Sequence, residues 1–217
     1  MASRRGFGRA VIGIGISIVA LFLVVRSVDL AATWNTITSA QPQWIVVMLH
    51  PDYQYDATRI PQLVAPILSG DADLMLGSRF LGDPLAGGMP KWKFVSNRFL
   101  TGLENRAFGL HLSEYHTGLR AYSRRLLETI PYSLNSDDFV FDQELVAQVV
   151  AVGGLRIGEI AVPTRYFEEA SSVGFKRSVV YGLSTLRVVG AYLLHRSGIR
   201  RSAKLRARSA VRESGTA

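Results

Sequence analysis

"MLHPDYQYD", residues 48–56, decides the fold of this chain, because an apolar run ends there in a group of polar side chains. The run itself, residues 45–49, is short and rich in β-branched side chains, which is typical of a buried strand in a parallel sheet. Ligands of such sheets bind beyond the carboxyl ends of the strands. The polar side chains after the run are therefore expected to line a site: His50, Asp52, Gln54 and Asp56.

The two carboxylates of this stretch have different expected roles. Asp52 comes directly after the strand, where an oxygen-rich cluster suits a hard divalent cation such as Mg²⁺ or Mn²⁺. For Asp52 this role is preferred to a simple turn contact. Asp56 comes one or two residues before a helical pattern, and capping of that helix is the preferred interpretation.

Helical and strand patterns alternate through the rest of the chain. An apolar stripe in residues 57–70 predicts a helix that ends at Gly70, and residues 72–80 form a second strand pattern. Further helices are expected at about 94–108 and over "FVFDQELVAQVVAVG", and further strands near "HTGLRAY" and "RIGEIAVPTRYF". This alternation predicts an α/β fold with a mostly parallel sheet and flanking helices.

The beginning of the chain has a different character. Residues 10–25 form an uncharged apolar run between arginines, close to the ~17–25 residues of a membrane-spanning helix. An uncleaved transmembrane helix is favoured over a signal peptide, because no convincing cleavage site follows the run. The expected organisation is a membrane anchor with an amphipathic linker (1–44), an α/β domain (45–175), an interfacial amphipathic helix (176–199) and a basic, disordered tail (200–217).

Basic residues are concentrated at both ends of this 217-residue chain, which has a formal net charge of +8. Such runs suit anionic lipid or nucleic acid, or are simply solvated. No nucleic-acid partner is expected, because no aromatic and basic platform accompanies the charges. The apolar stripe of 176–199 favours a membrane surface, with packing onto the domain core as the alternative. The absence of cysteine excludes disulfides and thiolate chemistry.

Several blocks carry a resemblance to a known family: "VVMLHPDYQYD", "LMLGSRF", "SEYHTGLRAYSRRLLETIP", "NSDDFVFDQELVAQ" and "GEIAVPTRYFEEASSVGFKRSVVYGLSTL". In this order, over about residues 46–190, they resemble the second half of a bacterial family 2 glycosyltransferase, near the polyprenyl- or dolichyl-phosphate sugar synthases. The resemblance implies a partial GT-A-like (Rossmann-like) fold that binds a nucleotide-sugar donor and one divalent metal at the edge of the sheet. It also implies a polyprenyl phosphate or another lipid as the acceptor.

The family's D-x-D metal motif matches residues 50–52, so that Asp52 is its second carboxylate, with Gln54 following. His50 stands in the first position. A neutral imidazole can ligate a metal but adds no negative charge, so the site is either weaker or built mainly from Asp52 and Gln54.

Two arginines at strand ends suit the charge of the leaving diphosphate. Arg79 in "GSRF" and Arg120 in "HTGLRAY" are expected to bind phosphate through guanidinium forks, and a salt bridge to a nearby carboxylate is the alternative for each. His116 would contact the acceptor or the diphosphate, unless it is a buried, hydrogen-bonded histidine.

Carboxylates in "DDFVFDQE" are the candidates for proton transfer. A polyprenyl phosphate is already an anion at neutral pH and requires no strong base, whereas a hydroxyl acceptor must lose a proton to a carboxylate. Asp142 is the first candidate and Glu144 the second, although both could simply occupy a helix start.

Residues 1–45 do not resemble the strand and nucleotide-binding unit with which a family 2 enzyme begins. They resemble the first membrane helix of the lysylphosphatidylglycerol synthase/flippase-like family, through "GRAVIGIGISIVALFLVVRSVDLAATWNTITSAQPQW". The chain is therefore expected to be a fusion or truncation, either active with a partner chain that supplies the missing half or a catalytically inactive membrane-anchored remnant. The expected location is the bacterial inner membrane with the catalytic part on the cytoplasmic face. A single span with its amino end inside would place that part on the other side, which also favours a fusion.

Overall fold

The computed structural model describes residues 44–166 and 175–209 of the chain. The predicted transmembrane helix at 10–25 and most of its linker lie outside the described residues, as does the end of the basic tail. Among the residues that are described, no helix is both long enough and apolar enough to cross a membrane.

One sheet organises the described residues. Its strands are β1 (Ile45–Leu49), β2 (Leu74–Ser78), β3 (Leu119–Ser123) and β4 (Ile157–Ala161), in the order β1–β3–β2–β4. β3 is antiparallel to both β1 and β2, whereas β2 and β4 are parallel. The predicted mixture of strands and helices is confirmed. The predicted mostly parallel sheet is wrong, because two of the three pairings between these described strands are antiparallel.

The reversal of β3 follows from the path of the chain after β2. A helix, α2 (Lys91–Phe108), begins beside the edge where β2 ends and carries the chain away from it. Gly109 ends α2 with a left-handed φ of 72°. Residues 110–118 then lead back to the starting edge, so β3 can only run away from that edge again. The pattern of alternating helices and strands does not reveal such a returning segment.

Helices cover the two faces of the sheet separately. α1 (Ile60–Leu68) packs on one face, where its buried side chains meet Met75, Leu119 and Ala121. α2, α4 (Phe141–Val152) and α5 (Phe175–Arg196) pack on the other face with Leu74, Leu76 and Tyr122. A short helix, α3 (Arg124–Thr129), follows β3, and 3-10 turns occupy Ala57–Arg59, Tyr132–Leu134 and Ala203–Leu205.

Local sequence signals mark the starts of α1 and α2. Asp56 accepts a hydrogen bond from the Thr58 amide at 2.9 Å and caps the turn that leads into α1, which confirms the capping interpretation. α2 begins at Lys91, three residues before the predicted start, directly after Pro90. Proline is favourable at a helix start because it has no amide hydrogen to leave unpaired.

Candidate functional site

The edge of the sheet brings the end of β1 and the start of β3 into direct contact. The His50 amide donates to the Gly118 carbonyl at 3.0 Å, and the His50 ring lies over Gly118. A side chain at position 118 would collide with that ring. Because β3 is reversed, its amino end shares this edge with the carboxyl ends of β1, β2 and β4. The predicted gathering of polar side chains therefore occurs in a mixed sheet.

The turn after β1 fixes Asp52. Its Oδ1 accepts a hydrogen bond from the Gln54 amide at 3.1 Å, and Tyr53 between them has a left-handed φ of 56°. Such a φ is unfavourable for a side chain of this size and is commonest where function requires a tight turn. Gln54 is buried, and its carbonyl accepts from the Arg165 amide at 3.2 Å.

Two cavities open at this edge and share a wall. The smaller, of about 190 Å³, is lined by polar and aromatic residues that include Gln54, Trp92, Lys93, Asn97 and Tyr166. The larger, of about 930 Å³, is lined by charged and apolar residues that include Met48, Arg120, Phe139, Asp142 and Arg177. The residues common to both cavities are His50, Asp52, His116, Ser178 and Tyr181.

Arg79 is held in a buried ion pair. Its guanidinium pairs with Glu114, with Nε donating to Oε1 at 2.8 Å, and also donates to the Tyr166 hydroxyl and the His116 carbonyl. Burial acts to lower the pKa of Arg79, but the neighbouring Tyr55 and Glu114 raise it well above its ordinary value. Protein groups thus occupy this guanidinium, as the salt-bridge alternative requires. Its position supports the floor of the smaller cavity.

Arg120 in β3 is completely buried, and its side chain lies at the wall of the larger cavity beside Asp142. It donates to the carbonyls of Thr117 and Tyr115 at 2.9 and 2.8 Å. The Asp142 carboxylate lies 3.6 Å from Arg120 Nη2 and 4.0 Å from His50 Nε2. Asp142 is in the first turn of α4, where the helix dipole also favours a negative charge. The Asp142 carboxylate therefore lies between Arg120 and the larger cavity, which it lines.

His116 is a buried, hydrogen-bonded histidine, and it also borders both cavities. Its Nε2 lies 3.0 Å from Oε2 of the buried Glu104, and its Nδ1 lies 2.8 Å from the Tyr181 hydroxyl. Gln143 Nε2 lies 2.9 Å from the same Nδ1. Burial raises the pKa of Tyr181, so its hydroxyl stays protonated.

Glu144 occupies a different place from Asp142. Its Oε2 accepts from the Ser136 amide at 2.7 Å, and its Oε1 pairs with Lys204 Nζ at 2.8 Å. These contacts tie α4 to the loop before it and to the 3-10 turn at Ala203–Leu205. Glu144 is not among the residues that line the two cavities. The geometry therefore favours Asp142 over Glu144 as the reactive carboxylate.

Sequence reasoning missed Glu104, Glu114, Gln143 and Tyr181. Glu104 gave a usable signal, because it shares the apolar face of α2 with Ala107 and Phe108, where a carboxylate needs a partner. Glu114 gave none, since its partner Arg79 lies 35 residues away in the chain.

The fit of a divalent cation depends on Asp52. Within the described ranges, no three histidine or carboxylate side chains come together as a metal-binding group. Magnesium is commonly held by one or two carboxylates together with substrate phosphates. Asp52 borders both cavities and suits that kind of site, in which a donor diphosphate would provide the remaining oxygen ligands.

Comparison with known proteins gives several relatives in sequence, three of which carry the name of a glycosyltransferase. No protein-family model matches the chain. It is 35% identical over 103 residues to the low-salt glycan biosynthesis hexosyltransferase Agl6 of Haloferax volcanii, which covers 47% of this chain and 25% of that protein. The chain is 25% identical over 150 residues to the UDP-N-acetylglucosamine–dolichyl-phosphate N-acetylglucosaminyltransferase of Methanococcus voltae. This match covers 66% of this chain and 59% of that protein. Glycosyltransferase AglD of Haloferax volcanii is 26% identical over 117 residues, which cover 54% of this chain and 18% of that protein.

A solved structure is also similar. The crystal structure of M. tuberculosis glucosyl-3-phosphoglycerate synthase matches 79% of this chain and 56% of its own, with 21% identity and a TM-score of 0.39. The chain spans between 18% and 59% of the length of the three curated glycosyltransferases. The three named relatives in sequence are glycosyltransferases, and the chain is similar to a part of each.

Proposed function

We propose that this edge of the sheet is a glycosyltransferase site that passes a sugar from a nucleotide-sugar donor to a polyprenyl-type lipid phosphate at a membrane. The observation that carries the proposal is the shared wall of two unlike cavities. The smaller offers polar and aromatic groups of the kind that hold a sugar. The larger sets Arg177 and the Arg120–Asp142 pair beside Met48, Phe139 and Phe141, which suits a lipid with a charged head.

The proposed reaction is a displacement at the anomeric carbon. An oxygen of the acceptor phosphate forms a new bond to the anomeric carbon. At the same time the bond between this carbon and the donor diphosphate breaks, and the nucleoside diphosphate leaves with the electron pair. The acceptor phosphate is already an anion, so no proton need be removed. Asp142 then orients the charged groups around the acceptor, and it becomes the base if the acceptor is a hydroxyl.

Asp52 would hold Mg²⁺ or Mn²⁺, with His50 and Gln54 beside it. When bound, such a cation would supply positive charge beside the leaving diphosphate. The hydrogen bond from the Gln54 amide to Asp52 Oδ1 supports this proposal, because it holds the carboxylate in one position. The dolichyl phosphate in the name of the Methanococcus relative supports a lipid acceptor, and that relative and AglD are consistent with a sugar donor.

A second candidate is a membrane protein that binds lipid phosphate without transferring sugar. It is favoured by the engagement of both Arg79 and Arg120 with protein groups, which leaves a donor diphosphate to be held by other residues. The two candidates differ in donor binding.

The first test is calorimetric titration of the full chain in detergent with UDP-N-acetylglucosamine and GDP-mannose, each with and without Mn²⁺. We expect metal-dependent binding that is lost in Asp52→Ala and retained in Asp71→Ala, a carboxylate near the end of α1. Transfer to polyprenyl phosphate is then measured with radiolabelled donors. Lipid phosphate binding with no response to any donor would establish the second candidate instead.

A further inference from the structure

α2 exposes large apolar side chains along one stripe. Trp92, Val95, Phe99 and Leu103 recur at helical spacing, and Val95 and Phe99 are 65% and 62% exposed. The opposite face of α2 already supplies the core through Thr101, Ala107 and Phe108. The stripe is therefore additional to the face that folds the domain, and exposed apolar areas of this kind mark interaction sites.

α5 repeats this arrangement. Its buried residues are Thr185, Val189 and Tyr192, whereas Val179, Leu183, Leu186 and Leu193 are exposed. Leu183 is 63% exposed although it lies in the middle of a 22-residue helix.

The two helices lie side by side and run in the same direction. A Cβ atom on Gly182 of α5 would lie 3.8 Å from Leu100 Cδ1 of α2, and the Phe108 and Tyr192 rings meet edge to face at 4.9 Å. On each helix the exposed stripe adjoins this line of contact on its outer side. We call the combined area the α2–α5 surface: Trp92, Val95, Phe99, Leu103, Val179, Leu183, Leu186 and Leu193.

The charges around the α2–α5 surface have one sign. Arg98 and Arg106 on α2 and Arg187 on α5 are exposed. The acidic residue of α2, Glu104, is 1% exposed, and residues 175–209 contain no aspartate or glutamate. An apolar stripe flanked by arginines is the pattern of a helix that lies in the interface of an anionic bilayer.

We propose that the α2–α5 surface docks the domain onto an anionic lipid bilayer, with the apolar side chains at the boundary of headgroups and acyl chains and the arginines against lipid phosphates. A second copy of the chain would set these cations against one another, because the surfaces of a symmetric dimer are the same patch. The uncharged residues 10–25 of this chain would leave the arginines without a counter-charge. Anionic lipid can contact the apolar side chains with its acyl chains and the arginines with its phosphates.

The first turns of both helices border the site. Trp92 of α2 lines the smaller cavity, and Arg177 and Ser178 of α5 line the larger one. A bilayer on the α2–α5 surface would therefore lie beside the cavity assigned to the lipid acceptor. In this respect the inference rests on the proposed function, since a lipid acceptor explains why docking and site adjoin.

The chain contains no cysteine, so single cysteines can be labelled without background. Phe99→Cys and Leu183→Cys place an environment-sensitive fluorophore on each helix of the surface. Ala65→Cys is the control, because Ala65 is exposed on α1, which covers the other face of the sheet. The full chain is reconstituted with phosphatidylcholine vesicles that either contain or lack phosphatidylglycerol, and quenching by a lipid-attached quencher is recorded.

We expect blue-shifted emission and several-fold stronger quenching at positions 99 and 183 than at 65, and only in vesicles with phosphatidylglycerol. Equal quenching at all three positions would overturn the proposal. Blue-shifted labels that the lipid quencher does not reach would also overturn it and would identify a protein cover, either residues 10–25 or a second copy. The measurement needs no donor and no turnover, so failure of docking and failure of sugar transfer are separate results.

Discussion

Two buried arginines at the same sheet edge differ in what their carboxylate partners can do. Arg79 pairs with Glu114, whose side chain is fully enclosed and also accepts from Asn97 Nδ2 at 3.2 Å. Arg120 pairs more loosely with Asp142, whose side chain remains 14% exposed and borders the larger cavity. The first pair is complete within the protein, whereas the second keeps a charged atom available to a ligand.

The difference separates the residues that build the site from those that can act in it. A strand-end arginine was predicted to bind phosphate in both cases, yet the accessibility of the partner carboxylate decides its role. The Arg79–Glu114 pair should control stability, and the Arg120–Asp142 pair should control activity. The following variants test this division.

The largest expected effect is on the Arg79–Glu114 pair. Arg79→Ala should lower the free energy of unfolding by about 3–5 kcal/mol, because it leaves the Glu114 charge buried without its partner. Urea denaturation measures the change. Glu128→Gln is the control, since its ion pair with Arg124 is exposed and should contribute less than about 1 kcal/mol. A loss below about 1 kcal/mol in Arg79→Ala would contradict the structural role of the pair.

A change in the Arg120–Asp142 pair should reduce the rate of sugar transfer. Asp142→Asn should reduce sugar transfer by about 100-fold, because the neutral amide would no longer hold the Arg120 guanidinium in place beside the acceptor. Radiolabelled transfer to lipid measures the rate, and denaturation is recorded in parallel. Unchanged transfer in a folded Asp142→Asn protein would remove Asp142 from the reaction, and Glu144→Gln would then be measured next.

A smaller effect is expected where β1 meets β3. Gly118→Ala should cost about 1–3 kcal/mol of stability, because the new methyl group meets the His50 ring and forces it to move. Gly102→Ala in α2 is the matched control, since its Cβ would meet nothing within 4 Å and alanine is the better helix former. Comparison of the two melting curves decides the point. Equal stability of both variants would mean that His50 is not fixed by Gly118.

The smallest effect concerns the contact between α5 and His116. Tyr181→Phe removes the hydroxyl beside His116 Nδ1 and should lower the free energy of unfolding by about 1 kcal/mol. Tyr53→Phe should leave it unchanged, because that ring is 87% exposed. Nitrogen NMR of the histidine ring should also report a changed environment at Nδ1 in Tyr181→Phe. An unaltered histidine signal would show that the hydroxyl does not contact the ring.

The sequence predicted those parts of the fold that depend on local signals. The apolar run of β1, the stripe of α1 and the glycine after α4 each lie within a few residues of the element they define. The edge at which polar groups gather was also predicted, because Asp52 directly follows a strand. These signals require only neighbours in the chain.

The remaining features depend on contacts between distant residues. The direction of β3 is set by the returning segment 110–118, and the partner of Arg79 is 35 residues away. The burial of His116 requires Glu104, Gln143 and Tyr181 from three helices. No single stretch of sequence carries this information.

The antiparallel setting of β3 has a consequence for how the chain can change in length. Arg120 shares a sheet face with Tyr122, which packs with α4, whereas Leu119 and Ala121 face α1. Loss or gain of one residue between His116 and Leu119 would exchange these two sets of side chains, because successive residues of a strand point to opposite faces. Insertions and deletions should therefore be rejected at 116–119.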